Sequence, residues 1–184
     1  MQSSMGVVWG GRLLGLEIAE RVAGIDLFTE LLALAETRGE PVFFLGAKPD
    51  VVERAVDRIR ARHRALDIAG WHHGYFWDDE EQIVQMVRDS GATMLFVAIT
   101  SPKKEQFINR WRAELGVKFA MGVGGTFDVV AGVTTRAPRW MQGAGLEWFY
   151  RLAQEPRRMW RRYLDTNLRF AILLLRESVG RWVR

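Results

Sequence analysis

Short apolar runs, each followed by a segment of helical periodicity, constrain this chain more than any other feature. Val42 to Leu45 (VFFL) and Thr93 to Ile99 (TMLFVAI) are continuous enough to be strands buried on both faces. Asp67 to Trp71 reads as a weaker strand, and Phe119 to Met121 as the end of another. After Val42–Leu45 come Gly46, Ala47, Lys48 and Pro49, then a helix with Val51, Val52, Ala55, Val56 and Ile59 on one face. Pro49 suits the first helical position, where its missing N–H costs nothing. A second helix begins at Asp78, with Asp78 and Glu81 at capping-box spacing, and a third runs from Ser101–Lys104 to Leu115. Ahead of the first strand, residues 5 to 14 and 26 to 38 read as helices, the latter with Asp26 as N-cap. Strands alternating with helices at this spacing require right-handed crossovers and a parallel sheet with helices on both faces, a Rossmann-like α/β fold.

Open parallel sheets hold ligands at the carboxyl ends of their strands. The stretch from Gly122 to Leu152 begins there: Gly122, Gly124 and Gly125 allow close backbone approach, Asp128 follows, and Arg136 and Arg139 flank Ala137 and Pro138. A ligand-free glycine connection fits the same residues. Lys48 with Pro49, and Pro102 with Lys103 and Lys104, put cations at helix starts, where free N–H groups and the helix dipole favour an anion. Solvated lysines beside ordinary helix-opening prolines are the alternative. Neither a Walker A motif nor a G-x-G-x-x-G fingerprint is present. His72 and His73, adjacent on a strand, would point to opposite faces and serve a loop rather than a metal. The acids Asp78 to Glu81 are accounted for by helix capping.

Charge is unevenly distributed. Residues 151–184 hold nine arginines against Glu155, Asp165 and Glu177, a net +6; with the whole chain at +4, residues 1–150 carry −2. On a helix over 156–170, Arg157, Arg158, Arg161, Arg162 and Arg169 share one arc, with Met159, Trp160, Tyr163 and Phe170 opposite. Such a helix suits an anionic bilayer, Phe170 to Leu175 extending its apolar contact; a terminal helix docked on the body would look the same. The acidic body and the lack of a recognition motif argue against nucleic acid. The domains expected are therefore 1–150, α/β, and 151–184, a helical basic appendage. With no cysteine, no apolar run of spanning length and no basic leader, the expected setting is cytoplasmic.

Six ordered segments then become familiar: ERVAGIDLF (20–28), VFFLGAKP (42–49), GYF (74–76), SPKKEQFI (101–108), GVGGTFD (122–128) and RAPRWMQGAGLEWFYRLAQEPRRMWRRYL (136–164). Together they resemble the WecG/TagA/CpsF family of bacterial glycosyltransferases. The resemblance implies inverting, metal-free and cofactor-free transfer of an N-acetylmannosamine-type sugar from a UDP donor to undecaprenyl-diphosphate-linked N-acetylglucosamine. It implies work at the cytoplasmic face of the membrane, for teichoic acid, enterobacterial common antigen or capsule synthesis. By the same resemblance Arg21 would be a donor-site or diphosphate ligand, and Gly122, Gly124, Gly125 and Asp128 would line the donor pocket, with Arg136 and Arg139 nearby; Gly46, Lys48, Pro102, Lys104 and Glu105 at the strand ends complete the substrate-binding candidates. Arg157, Arg158, Arg161 and Arg162 would serve the acceptor diphosphate or lipid phosphates. The chain departs from the family pattern in three places. It lacks about sixty N-terminal residues by comparison with the resemblance, Ser3 stands where the family's proposed general base is an aspartate, and Lys104 stands where the family has glutamine. The expectation is a truncated member of weak or no activity, with a non-catalytic UDP-sugar or lipid-diphosphate binding module as the alternative. Oligomeric state stays open, a homo-oligomer included.

Overall fold

The structure is a computed structural model and describes residues 23–144, 146–154 and 156. Among the described residues two compact units are distinct, 23–135 and 136–156. The expected helix at 5–14, together with Ser3, Arg21 and the arginines 157–162, lies outside the described residues.

The first unit opens with α1 (Gly24–Arg38), whose N-cap is Ala23. Asp26 sits inside the first turn rather than capping it; a carboxylate there still complements the positive end of the helix. Helix α1 stops at Gly39, which takes the left-handed conformation, and Glu40 N–H closes back on the Ala35 carbonyl. Strand β1 (Val42–Gly46) is buried at all five residues, as its unbroken apolar run requires. Helix α2 (Pro49–Arg62) starts with Pro49 at its first position and buries Val51, Val52, Ala55, Val56 and Ile59.

Strand β2 (Ile68–His72) is only partly buried. Its successor, α3 (Glu80–Asp89), begins two residues later than expected, because Asp79 is the cap and accepts a hydrogen bond from Gln82 N–H. Strand β3 (Met94–Ala98) leads to α4 (Lys103–Trp111), and β4 (Phe119–Gly122) to the short α5 (Thr126–Val130). Helix α4 ends four residues short of Leu115, and Pro102, expected within its first turn, is its cap.

All strand pairs are parallel, in the order β2-β1-β3-β4. The chain therefore winds outward from β1 to β2, then returns past β1 to add β3 and β4. Position on the pleat divides the core in two. Val42, Phe44, Phe96 and Met121 face α1, α2 and α5, while Phe43, Leu45, Leu95 and Val97 face α3 and α4. On the first face Phe28 of α1 meets Phe44, Phe96 and Phe127 at ring separations of 6.2, 4.9 and 6.1 Å. That cluster ties α1, β1, β3 and α5, and such aromatic pairs are worth about 0.5–1.5 kcal/mol each beyond buried area.

The second unit holds α6 (Arg139–Gly143) and α7 (Glu147–Gln154). Among the described residues no helix is long and apolar enough to cross a membrane.

Candidate functional site

Because the strand order reverses between β1 and β3, their carboxyl ends are where successive helices go to opposite faces, the place at which open α/β sheets receive ligands. The backbone there is tightly tied. Gly46, at φ +124°, lies so close to Ala98 that a Cβ on it would fall 2.5 Å from the Ala98 carbonyl carbon. Any other residue there would force the backbone to shift. Ala47 follows in the left-handed region (φ 61°), donating its N–H to the Ala98 carbonyl and accepting from Gly74 N–H, both at 2.9 Å. Non-glycine residues adopt that conformation at a cost of order 1 kcal/mol, and such strain concentrates at functional loops.

The loop after β2 reaches this turn through Gly74. Trp77, after β2, lies under the Lys103 ammonium at 4.4 Å and stacks on Phe76, which in turn meets Phe107 of α4. His72 and His73 do not diverge as an extended strand would make them: His73 lies beyond the end of β2, and the two rings stand 4.2 Å apart. His72 Nδ1 bonds the His73 carbonyl oxygen and so carries its proton, while His73 Nδ1 accepts from Tyr75 N–H. Tyr75 itself is exposed at this edge.

Of the two lysines expected at the start of α4, Lys103 is spread over Trp77, and Lys104 is buried, at 4% exposure. The Lys104 ammonium lies 2.7 Å from a Glu105 carboxylate oxygen, and the other end of that arrangement is Ser101, whose hydroxyl donates to Glu105 at 3.0 Å. Burial pushes the Glu105 carboxyl up, but the hydrogen bonds from Lys104, from backbone N–H and from Ser101, with the charge of Lys104, hold it below the ordinary carboxylate range. The Lys104 stem runs across β4: a Cβ on Gly122 would lie 2.7 Å from its Cε and 2.9 Å from its Cδ. Gly122 is thus the gap through which the lysine reaches the edge.

Beyond Gly122 the chain turns through Gly124, at φ +55°, and Gly125, the cap of α5. Thr126 is buried with its hydroxyl on the Val123 carbonyl at 2.7 Å, and Asp128 lies in the first turn of α5. The structure therefore brings Gly46, Lys104, Glu105, Gly122, Gly124, Gly125 and Asp128 to one edge of the sheet, with Lys48 and Pro102 exposed at the starts of α2 and α4. Arg136 and Arg139 belong to the second unit. There Arg136 pairs with Glu147 at 3.5 Å, and Arg139 is exposed at the start of α6. The burial of Lys104 and the packing of Trp77 against Lys103 were missed from sequence, although the stretch from His72 to Trp77 was read as a loop. A signal for the first existed: Lys104, Phe107, Ile108 and Trp111 follow the spacing of an inner helix face, with the lysine in an apolar slot.

A family model described as the glycosyl transferase WecG/TagA/CpsF family matches residues 1–184. The chain is 36% identical over 178 residues to a Bacillus subtilis protein, covering 97% of this chain and 68% of that one. It is 37% identical over 165 residues to a Bacillus spizizenii protein, covering 90% and 63%. Both carry the name N-acetylglucosaminyldiphosphoundecaprenol N-acetyl-beta-D-mannosaminyltransferase, and the chain spans roughly two thirds of their length.

Proposed function

Since this chain belongs to the WecG/TagA/CpsF glycosyl transferase family, we propose that it serves the transfer of an N-acetylmannosamine-type sugar from UDP to undecaprenyl-diphosphate-linked N-acetylglucosamine. The donor occupies the carboxyl edge of the sheet. The observation that carries this reading is the buried Lys104 beside Gly122: a full positive charge held at the strand ends, where open α/β sheets receive ligands. Gly46 and Gly122 make room for the Ala98 backbone and the Lys104 stem that shape this edge, Gly124 and Gly125 bring backbone to it, and Asp128, Lys48, Pro102 and Glu105 complete it. The family resemblance gives residues 1–150 the donor-binding role and names Arg21, Arg136 and Arg139 among the residues that serve the donor.

Residues 151–184 lie against the inner face of the plasma membrane. Arg157, Arg158, Arg161 and Arg162 meet the diphosphate of the acceptor or lipid phosphates, where guanidinium forks fit phosphate oxygens in pairs.

Inverting transfer needs a base for the acceptor hydroxyl. Ser3, at the position the family resemblance gives to an aspartate, cannot remove that proton near neutral pH. Donor binding is retained and turnover is slow.

Incubation with UDP-N-acetylmannosamine and a short-chain lipid-diphosphate acceptor tests this. The expected result is UDP binding with weak turnover that rises about 10²-fold or more in Ser3→Asp, the usual worth of a placed base. Binding without turnover in either form would make the protein a binding module, and absence of UDP binding would contradict the donor reading. Retention on anionic vesicles but not on duplex DNA at matched salt is expected of the basic tail.

A further inference from the structure

The ion pair at the start of α4 is lopsided. The Lys104 side chain is 5% exposed and its Glu105 partner 54%. A buried ammonium must keep a counter-ion, because leaving the charge unpaired away from water is strongly unfavourable. Its counter-ion here is an exposed carboxylate on the next residue, held besides by the Ser101 hydroxyl and a backbone N–H of its own helix turn. Such a partner can swing into solvent without disturbing the core, and doing so uncovers the ammonium.

We infer that Glu105 is a stand-in counter-ion and that a diphosphate displaces it from Lys104 when the site fills. A diphosphate offers several acceptor oxygens and at least two negative charges, so it answers an ammonium with three donors better than one carboxylate oxygen does. The geometry also explains why residue 122 is glycine. The lysine stem crosses that point, and a side chain there would push the ammonium off its line. The first turn of α4 adds the positive end of its dipole to the same place. This exchange rests on the reading of the carboxyl edge as a diphosphate-binding site, and both proposed substrates carry that group.

Calorimetric titration of the full chain with UDP, with uridine and with a short-chain prenyl-diphosphate-linked N-acetylglucosamine tests it in three proteins: unaltered, Lys104→Met and Glu105→Gln. Lys104→Met is expected to weaken a diphosphate ligand roughly tenfold or more, the worth of a charge-assisted hydrogen bond, with uridine unaffected. Weakening of UDP assigns the lysine to the donor, and weakening of the prenyl diphosphate alone assigns it to the acceptor. Glu105→Gln is expected to bind the same ligand at least as tightly as the unaltered protein. It should melt lower when empty and gain more melting temperature from that ligand, because the ligand then supplies the missing counter-ion. Binding of both ligands by Lys104→Met as tightly as by the unaltered protein, or an equal thermal gain in Glu105→Gln, overturns the exchange while leaving the donor reading intact. Failure of the unaltered protein to bind UDP or the prenyl diphosphate overturns both.

Discussion

At the level of single residues, two glycines at the same edge have opposite expected costs. A Cβ at Gly46 meets the Ala98 backbone, and the φ of +124° is one that other residues rarely adopt. Gly46→Ala should therefore destabilise the fold by about 2 kcal/mol or more, read as a lower melting temperature. A Cβ at Gly122 meets only the flexible end of Lys104. Gly122→Ala should melt near the parent temperature yet lose diphosphate affinity, since the lysine must move aside. A titration charge elsewhere gives a pH test. Glu36 accepts from His63 at 2.7 Å and from Ala65 N–H at 3.0 Å, and these bonds hold its carboxyl below the ordinary value. A group whose folded pKa is depressed stabilises above its unfolded pKa and loses that contribution as pH falls through the folded one. The contribution of Glu36 should thus be complete above the ordinary carboxylate range and be lost as pH falls through its lowered folded pKa. Melting curves of the parent and Glu36→Gln should converge as the solution is acidified through that range; parallel curves would contradict the assignment.

At the level of elements, alternation of apolar runs with amphipathic segments was enough to place α1 to α4 and all four strands. The residues that decide this, such as Phe43 to Leu45 and Leu95 to Val97, have no polar alternative to burial. Element ends were less legible. Asp26, Asp78 and Pro102 are each chemically able to begin a helix where sequence placed it, but the caps are Ala23, Asp79 and Pro102 itself. Tertiary ties settle that choice. Glu80, the first residue of α3, accepts from Trp111 Nε1 at 2.7 Å and Arg110 at 3.0 Å on α4, a bridge between residues thirty apart that no local pattern announces. The candidate site was partly legible for the same reason: its glycines announce themselves, while the burial of Lys104 depends on what lies across the sheet. Phe28→Ala should cost about 3–5 kcal/mol in chemical denaturation, because it removes the ring that joins α1 to β1, β3 and α5. A cost below about 1 kcal/mol would show that α1 is not fastened through that ring.

For the molecule as a whole, charge and fold divide the work. The β1–β3 reversal creates one edge at which loops converge, and residues 1–150 are mildly acidic, so a local cation such as Lys104 matters more there than general attraction for anions. On the proposed membrane role, the net +6 of residues 151–184 would attract anionic surfaces over a Debye length of about 10 Å at 0.1 M salt. Vesicle binding should accordingly weaken as salt rises, while UDP affinity changes less. The central claim is that the nucleotide diphosphate sits at the carboxyl edge of the sheet. Backbone amide NMR during titration with UDP tests it most directly. The account predicts shifts concentrated at Gly46–Lys48, Thr100–Glu105 and Gly122–Asp128, with Glu40, Ala92 and Lys118 at the opposite edge unmoved. Shifts confined to that opposite edge, or none at saturating UDP, would contradict it.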